Sequence, residues 1–348
     1  MLRREYGKAI KHIQAGITIF AEQNTHTTLS KKGGSLIHRN RLESLLRNLE
    51  THLCELSMED RFPLMPRRSY IGRHALPHQT STSWVNPDPA ESLTLPPFVS
   101  ISDARQELDA LWHNLMFVLH ELGEPETFIP RLSPEQLMAQ LVLFRGAFRS
   151  WRVRFDQLTF LLERRPNPLK PEERKSLAQL EMYRLTGEQI LNPSLTDEMS
   201  WDTWTHGFEH TLDLCEIIIR NETQGPNIFQ IDHGIVVACF HTIRKCRAAR
   251  IRLRALDLLS QQRRQDGLWD AQLVAKAGRF IDEIERGGAS LEEAAARDAR
   301  AGEIPVWRRI RAIDVMFSSE GREAVLTFLM PRGEWDETIV RVRKTITW

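Results

Sequence analysis

Cysteine is scarce in this chain: four in 348 residues, Cys54, Cys215, Cys239 and Cys246. No two stand at the two- to four-residue spacing of a zinc site. So few thiols fit a reducing compartment rather than a disulfide scaffold. An excess of one charge is also missing, since 47 Lys and Arg face 46 Asp and Glu for a formal net charge of +1. Nothing in that balance pulls the whole chain toward nucleic acid or an anionic membrane. The longest apolar runs, 141–144, 217–219 and 235–240, fall far short of the roughly 18 residues of a membrane span. Behind Met1 come Arg3, Arg4, Glu5 and Lys8, without the apolar segment of a secretion signal. There is no glycine-rich phosphate loop, no nucleophile elbow and no dinucleotide fingerprint. Apolar residues at 41% and charged residues at 27% exclude long disorder and leave one large or two medium globular domains.

What is there is mostly helical periodicity. Ile10, Ile13, Ile17 and Phe20 share one face, and after a polar loop Leu42, Leu45, Leu46, Leu49 and Leu53 mark a second helix over about 36–58. The two predict a helical hairpin. Seven of the 17 prolines crowd into 60–100, and a residue type that lacks a backbone donor predicts a long irregular connection there. Its arginines, Arg61, Arg67, Arg68 and Arg73, read as a solvated loop. Leu108, Leu111, Trp112, Leu115, Met116 and Leu119 form the next stripe. Ser133-Pro134-Glu135-Gln136 is a helix start, followed by Leu137, Leu141, Phe144, Phe148, Trp151, Phe155, Leu158 and Leu162 in alternating steps of four and three. A heptad-like stripe can be a coiled-coil seam. Three Phe and a Trp are too bulky for a two-stranded seam, so a core helix is the better reading. Further helices are expected at about 171–191, 200–221, 230–261 and 268–287, with a short one from Ser290. Beyond Pro305 the pattern changes to strands around 310–317, 325–330 and 339–346, a small antiparallel meander.

Two constellations invite a chemical reading. His206-Gly207-Phe208-Glu209-His210 has the order of inverted zinc peptidases. On a helix the two His would share a face, with Glu209 as a base for a metal-bound water. The competing reading is a packed aromatic helix, given Trp201, Trp204 and Phe208 beside it, and it is preferred. The second is the basic run Arg244, Lys245, Arg247, Arg250, Arg252, Arg254, Arg263 and Arg264. Such a run can bind phosphates. Its broad apolar face and lack of aromatics favour a half-buried helix whose arginines pair with acids elsewhere.

At this stretch a resemblance enters. Phe229-Gln230-Ile231-Asp232-His233-Gly234-Ile235, Lys245-Cys246-Arg247, Ile251-Arg252-Leu253-Arg254-Ala255-Leu256 and Arg263-Arg264-Gln265-Asp266-Gly267-Leu268-Trp269-Asp270 together resemble the C-terminal part of fungal binuclear zinc-cluster transcription factors. Ile304, Pro305, Trp307 and the closing strands fit the same ending. Residues 6–20 and 98–108 resemble helices further upstream in that regulatory region. The signature residues the resemblance marks are Cys246, Arg247, Arg252, Arg254, Gly267, Trp269, Asp270 and Trp307. Read physically, Gly267 is free to take positive φ and end one helix. Leu268 and Trp269 cover the junction, and Asp270 suits the dipole of the next helix. The family's six clustered cysteines, which hold two zinc ions and read DNA, have no counterpart here. The expectation is that the gene lost that module or that the start codon lies too far downstream.

The sequence thus predicts a mainly α fold, a bundle of antiparallel helical hairpins with a small C-terminal β-meander. The expected organisation is a hairpin at 1–59, a Pro-rich linker at 60–100, a helical core at 101–303 and the meander at 304–348. No catalytic residue, metal or cofactor is assigned. The resemblance implies a nuclear, or secondarily cytoplasmic, regulatory domain of transcription. Its partners would be the transcription machinery, a DNA-binding protein or a small effector, with no membrane and no sequence-specific DNA contact of its own. A helical scaffold or dominant inhibitor is the alternative, and a zinc hydrolase using His206, Glu209 and His210 the remote one.

Overall fold

The computed structural model describes residues 6–26, 42, 45–52, 95–121, 134–191, 197–222, 227–232, 234–318 and 322–348. The fold is mainly α-helical and closes with a three-stranded antiparallel sheet. Most of the Pro-rich segment expected at 60–100, with its four arginines, lies outside the described residues, as do Ser133 and Cys54. The chain forms two compact units: residues 67–122 with 129–223, and residues 1–66, 123–128 and 224–348.

The unit spanning 67–122 and 129–223 is built from α3 (Ile101–Glu121), α4 (Pro134–Glu163), α5 (Pro171–Ile190) and α6 (Thr205–Arg220). The long stripe of α4 is core. Leu141, Phe144, Phe148, Trp151, Phe155, Leu158 and Leu162 are all buried. Trp151 stacks on Phe155 with ring centroids 4.5 Å apart and donates its indole N–H to the Ala104 carbonyl of α3 at 2.9 Å. An indole pays its desolvation only when its donor is satisfied, so this bond fixes how α4 meets α3. Arg154 makes a second tie: it pairs with Glu107 at 2.6 Å, donates to the Pro96 carbonyl at 2.9 Å and lies over the Phe98 ring at 3.8 Å.

The other unit begins with α1 (Tyr6–His26) and a helical stretch at 45–52, α2. Ile13, Ile17, Phe20, Leu46 and Leu49 are buried, and Gly16 faces the Leu46 side chain. Strand β1 (Asn227–Gln230) runs parallel to β2 (Arg263–Asp266), which turns back into the two-residue strand β3 (Trp269–Asp270). Between β1 and β2 the chain makes α7 (Ile235–Lys245) and α8 (Ala249–Ser260). After β3 come α9 (Ala271–Arg286) and α10 (Leu291–Ala296). The meander follows as β4 (Ala312–Phe317), β5 (Glu323–Gly333) and β6 (Asp336–Thr347), paired in order.

Three expectations need correction. The single helix expected over 230–261 is two helices, because Cys246 and Ala248 are extended (ψ 116° and 117°). Residues 227–230 and 263–266 are strands that the sequence reading did not contain. Gly267 does take positive φ, 58°, but it ends strand β2 rather than a helix. It occupies the first central position of the two-residue β2–β3 hairpin, where glycine gives a type II′ turn.

Glycines in the helical unit give a paired prediction. A Cβ at Gly187 of α5 would lie 2.5 Å from Phe148 and 3.2 Å from Trp112, whereas one at Gly146 of α4 meets nothing within 4 Å. Gly187→Ala is expected to destabilise by about 1–3 kcal/mol through overpacking. Gly146→Ala is expected to stabilise by about 0.5–1 kcal/mol through helix propensity. Urea unfolding of the two variants against the parent checks the opposite signs.

Candidate functional site

The signature segment 229–270 converges on one buried charge network. At the break between α7 and α8 three successive carbonyls lose their helical partners, and each is met by an arginine. Arg247 Nη1 donates to the Lys245 carbonyl at 3.0 Å, Arg252 Nε to the Cys246 carbonyl at 3.1 Å, and Arg286 Nη2 to the Arg247 carbonyl at 3.2 Å. Buried backbone carbonyls need such partners. The guanidinia in turn need counter-charges, and α9 supplies them. Glu285 takes Arg247 at 3.0 Å and Arg252 at 2.6 Å, while Asp282 takes Arg252 and Arg286, both at 2.9 Å. The side chains of Arg247, Arg252 and Glu285 are fully buried. Glu285 also accepts the Ile310 N–H at 2.8 Å, which ties the approach to β4 into the same cluster. Burial by itself pushes the Glu285 carboxyl up, but Arg247 and Arg252 outweigh it and bring the pKa down to about 2.

A second buried pair sits in β2. Arg264 Nε donates to Asp266 Oδ1 at 2.8 Å, and Asp266 Oδ2 accepts the Val236 N–H at 3.0 Å. Asp266 thereby caps the first turn of α7 from a neighbouring strand. The Cβ-less Gly234 allows the approach, since a Cβ there would collide with Asp266 and Gln230. Asp270 caps α9 conventionally, accepting from Gln272 N–H at 2.8 Å and Leu273 N–H at 3.2 Å. Gly267 lies against the His52 ring, and its N–H donates to the Gln230 carbonyl at 2.7 Å.

The sequence-derived residues therefore have distinct placements. Arg247, Arg252 and the Cys246 carbonyl meet in the network. Cys246 itself is buried, and its N–H donates to the Thr242 carbonyl at 2.8 Å. Trp269 is buried against Phe240, with ring centroids 5.2 Å apart. Arg254 is half-buried on α8. Trp307 lies in a 3₁₀ turn with the Arg308 guanidinium 4.9 Å from its ring centroid. Glu285, Asp282 and Asp266 are the partners that sequence reasoning missed. They carry no motif, being scattered acids on an amphipathic helix and in a charged strand.

The basic run is no phosphate-binding face. Lys245, Arg247, Arg252 and Arg264 are buried, Arg244 and Arg254 half-buried, and only Arg250 and Arg263 exposed. The zinc-peptidase motif fares no better. His206 and His210 are exposed on α6 with Glu209 half-buried, while Phe208 and Trp201 pack inward. Among the described residues no group of three His, Cys, Asp or Glu could hold a metal ion, so the third ligand of a catalytic zinc site is not supplied there. Nor, among the described residues, is any helix long and apolar enough to cross a membrane.

Comparison with known proteins adds one relative. Over 113 residues the chain is 27% identical to the aspercryptin biosynthesis cluster-specific transcription regulator atnN of Emericella nidulans. The match covers 32% of this chain and 18% of that protein. The chain is thus similar, over about a third of its length, to a fungal transcription regulator. No protein-family model matches the chain, and no solved structure matches it.

The network makes two predictions. Glu285→Gln leaves two buried guanidinia short of a counter-charge and should cost about 3–5 kcal/mol, read as a lower urea midpoint. The exposed Glu283→Gln is the control and should change stability by less than about 0.5 kcal/mol. The pH dependence has a fixed sign. A carboxyl held at about 2 in the fold contributes fully above its ordinary value of 4.5 and loses that contribution as pH falls toward 2. The parent should lose stability along that acid limb, and Glu285→Gln should flatten it.

Proposed function

We propose that this chain is a transcription-regulatory domain of the kind found outside the DNA-binding module in fungal zinc-cluster factors. It acts through protein or small-effector contacts and does no chemistry of its own. The observation that carries the reading is the similarity to the aspercryptin cluster regulator. It is supported by the role of the signature segment, whose polar residues are spent on capping and on buried ion pairs rather than aimed at a substrate. On this reading the chain works in the nucleus, and sequence-specific DNA contact belongs to another module or partner. The burial of most of the basic run supports that division of labour.

The test tethers the chain to a heterologous DNA-binding module in a filamentous fungus, in front of a reporter gene. The expected outcome is a change in reporter output relative to the module alone, with the fusion in the nucleus. Output equal to that of the bare module, together with exclusion from the nucleus, would contradict the reading. Suppression of a native regulator by the untethered chain, without any tethered effect, would favour the dominant-inhibitor alternative.

A further inference from the structure

The C-terminal meander closes on an edge strand. β5 lies between β4 and β6, and among the described residues no strand pairs with the outer side of β6. At 12 residues β6 is about twice the usual strand length. It contains neither proline nor glycine, and from Ile339 to Thr347 its pairing with β5 runs without a slip. The Trp348 N–H donates to the Arg322 carbonyl at 3.2 Å, across the pair Glu323–Thr347. That pair is therefore of the non-hydrogen-bonded kind. Alternation along the ladder then turns the N–H and C=O groups of Ile339, Arg341, Arg343 and Thr345 away from β5. The side chains alternate too. Lys344 lies over Phe280 of α9 and Ile346 is buried, while Arg341, Arg343 and Thr345 are exposed on the other face.

Charge runs along this edge in one direction. Asp336 and Glu337 open the strand, and Arg341, Arg343 and Lys344 stand toward its end. Charges on an edge ordinarily keep a second strand away. Here their order makes one arrangement attractive. A second copy of β6, laid antiparallel about a two-fold axis at Val340, sets Glu337 opposite Arg343 and Asp336 opposite Lys344, each twice by symmetry. In the same register Ile339 and Arg341 face one another with outward backbone groups and exchange N–H···O=C bonds. A parallel copy in register would set like charges side by side, which is unfavourable. Glu337 and Arg343 are the pair best placed to act, since both are exposed and neither forms an ion pair among the described residues. Asp336 already lies 3.4 Å from Arg332, and Lys344 is engaged with Phe280. A second feature points the same way. Trp335, in the turn between β5 and β6, is 92% exposed, an unusual position for so large an aromatic. The register about Val340 carries it beside Thr345 of the second copy, where part of its surface leaves water. We propose that β6 is a self-association edge, through which two chains join antiparallel into one six-stranded sheet. Glu337–Arg343 pairs fix the register and Trp335 anchors each end. A single strand pair buries less than the roughly 1,200 Å² of a standard interface, so the dimer is weak and reversible. It is independent of the regulatory reading above.

Sedimentation velocity of the full chain, from micromolar to near-millimolar concentration, reads the association directly. The expected result is a concentration-dependent passage from monomer to dimer. Glu337→Arg and Arg343→Glu each turn two opposite-charge contacts into two like-charge ones, and each is expected to weaken the dimer by about tenfold. The double exchange, Glu337→Arg with Arg343→Glu, restores the pairs and is expected to return the dissociation constant to that of the parent. Trp335→Ala is expected to weaken the dimer as well. Arg250→Glu, at an exposed arginine of α8, should leave it unchanged. The substituted residues are exposed, so the variants keep the fold; unchanged thermal unfolding verifies this. A monomer at every concentration would overturn the proposal and leave the edge to an extended segment of another protein. A dimer that neither single reversal weakens, or that the double exchange fails to restore, would overturn it equally.

Discussion

Three carbonyls in a row, those of Lys245, Cys246 and Arg247, lose their helical partners where α7 gives way to α8. Leaving them bare in a buried position would be prohibitive. Arginine answers the need because one guanidinium can cap a carbonyl and still reach a carboxylate. The consequence is a demand for buried acids, which Glu285 and Asp282 meet from α9. The direction of α8, the seating of α9 and the entry into β4 all follow from that chain of requirements. A buried ion cluster is a poor device for raw stability. Its value here is geometric, because the same few side chains tie α7, α8, α9 and the approach to β4 together.

The same logic recurs at smaller scale. Asp266 serves Arg264 and the α7 N-terminus together, and Asp270 serves α9. In the helical unit Arg154 joins Glu107, the Pro96 carbonyl and the Phe98 ring. Charged side chains in this protein are used as structural connectors. That is why the arginine-rich run at 244–264 leaves only Arg250 and Arg263 of its cations exposed.

Much of the fold was legible because it rests on local rules. The four-three stripe of α4 located a buried helix through its aromatics, and the alternating apolar residues after 310 located the meander. Ser290 and Asp270 announced helix starts, and both accept the expected backbone N–H groups. What stayed hidden is non-local. Strand β2 reads Arg-Arg-Gln-Asp, which no propensity rule assigns to a strand; its burial is made tolerable by the pair Arg264–Asp266 and by pairing with β1, some 36 positions earlier. The break at 246–248 has no glycine or proline to mark it, because it is imposed by guanidinia and by acids 30 or more positions away. The resemblance marked Arg247 and Arg252 as signature positions, and only the structure shows that their partners are Glu285 and Asp282.

The most direct measurement of this account is the coupling energy between Arg247 and Glu285 from a double-mutant cycle, using Arg247→Met and Glu285→Gln in urea unfolding of the full chain. If the network fixes the α7–α8–α9 arrangement, the two substitutions are strongly non-additive, with a coupling of about 1–3 kcal/mol. Additivity within about 0.5 kcal/mol would mean that the two side chains act independently and that the buried network is not what organises this unit.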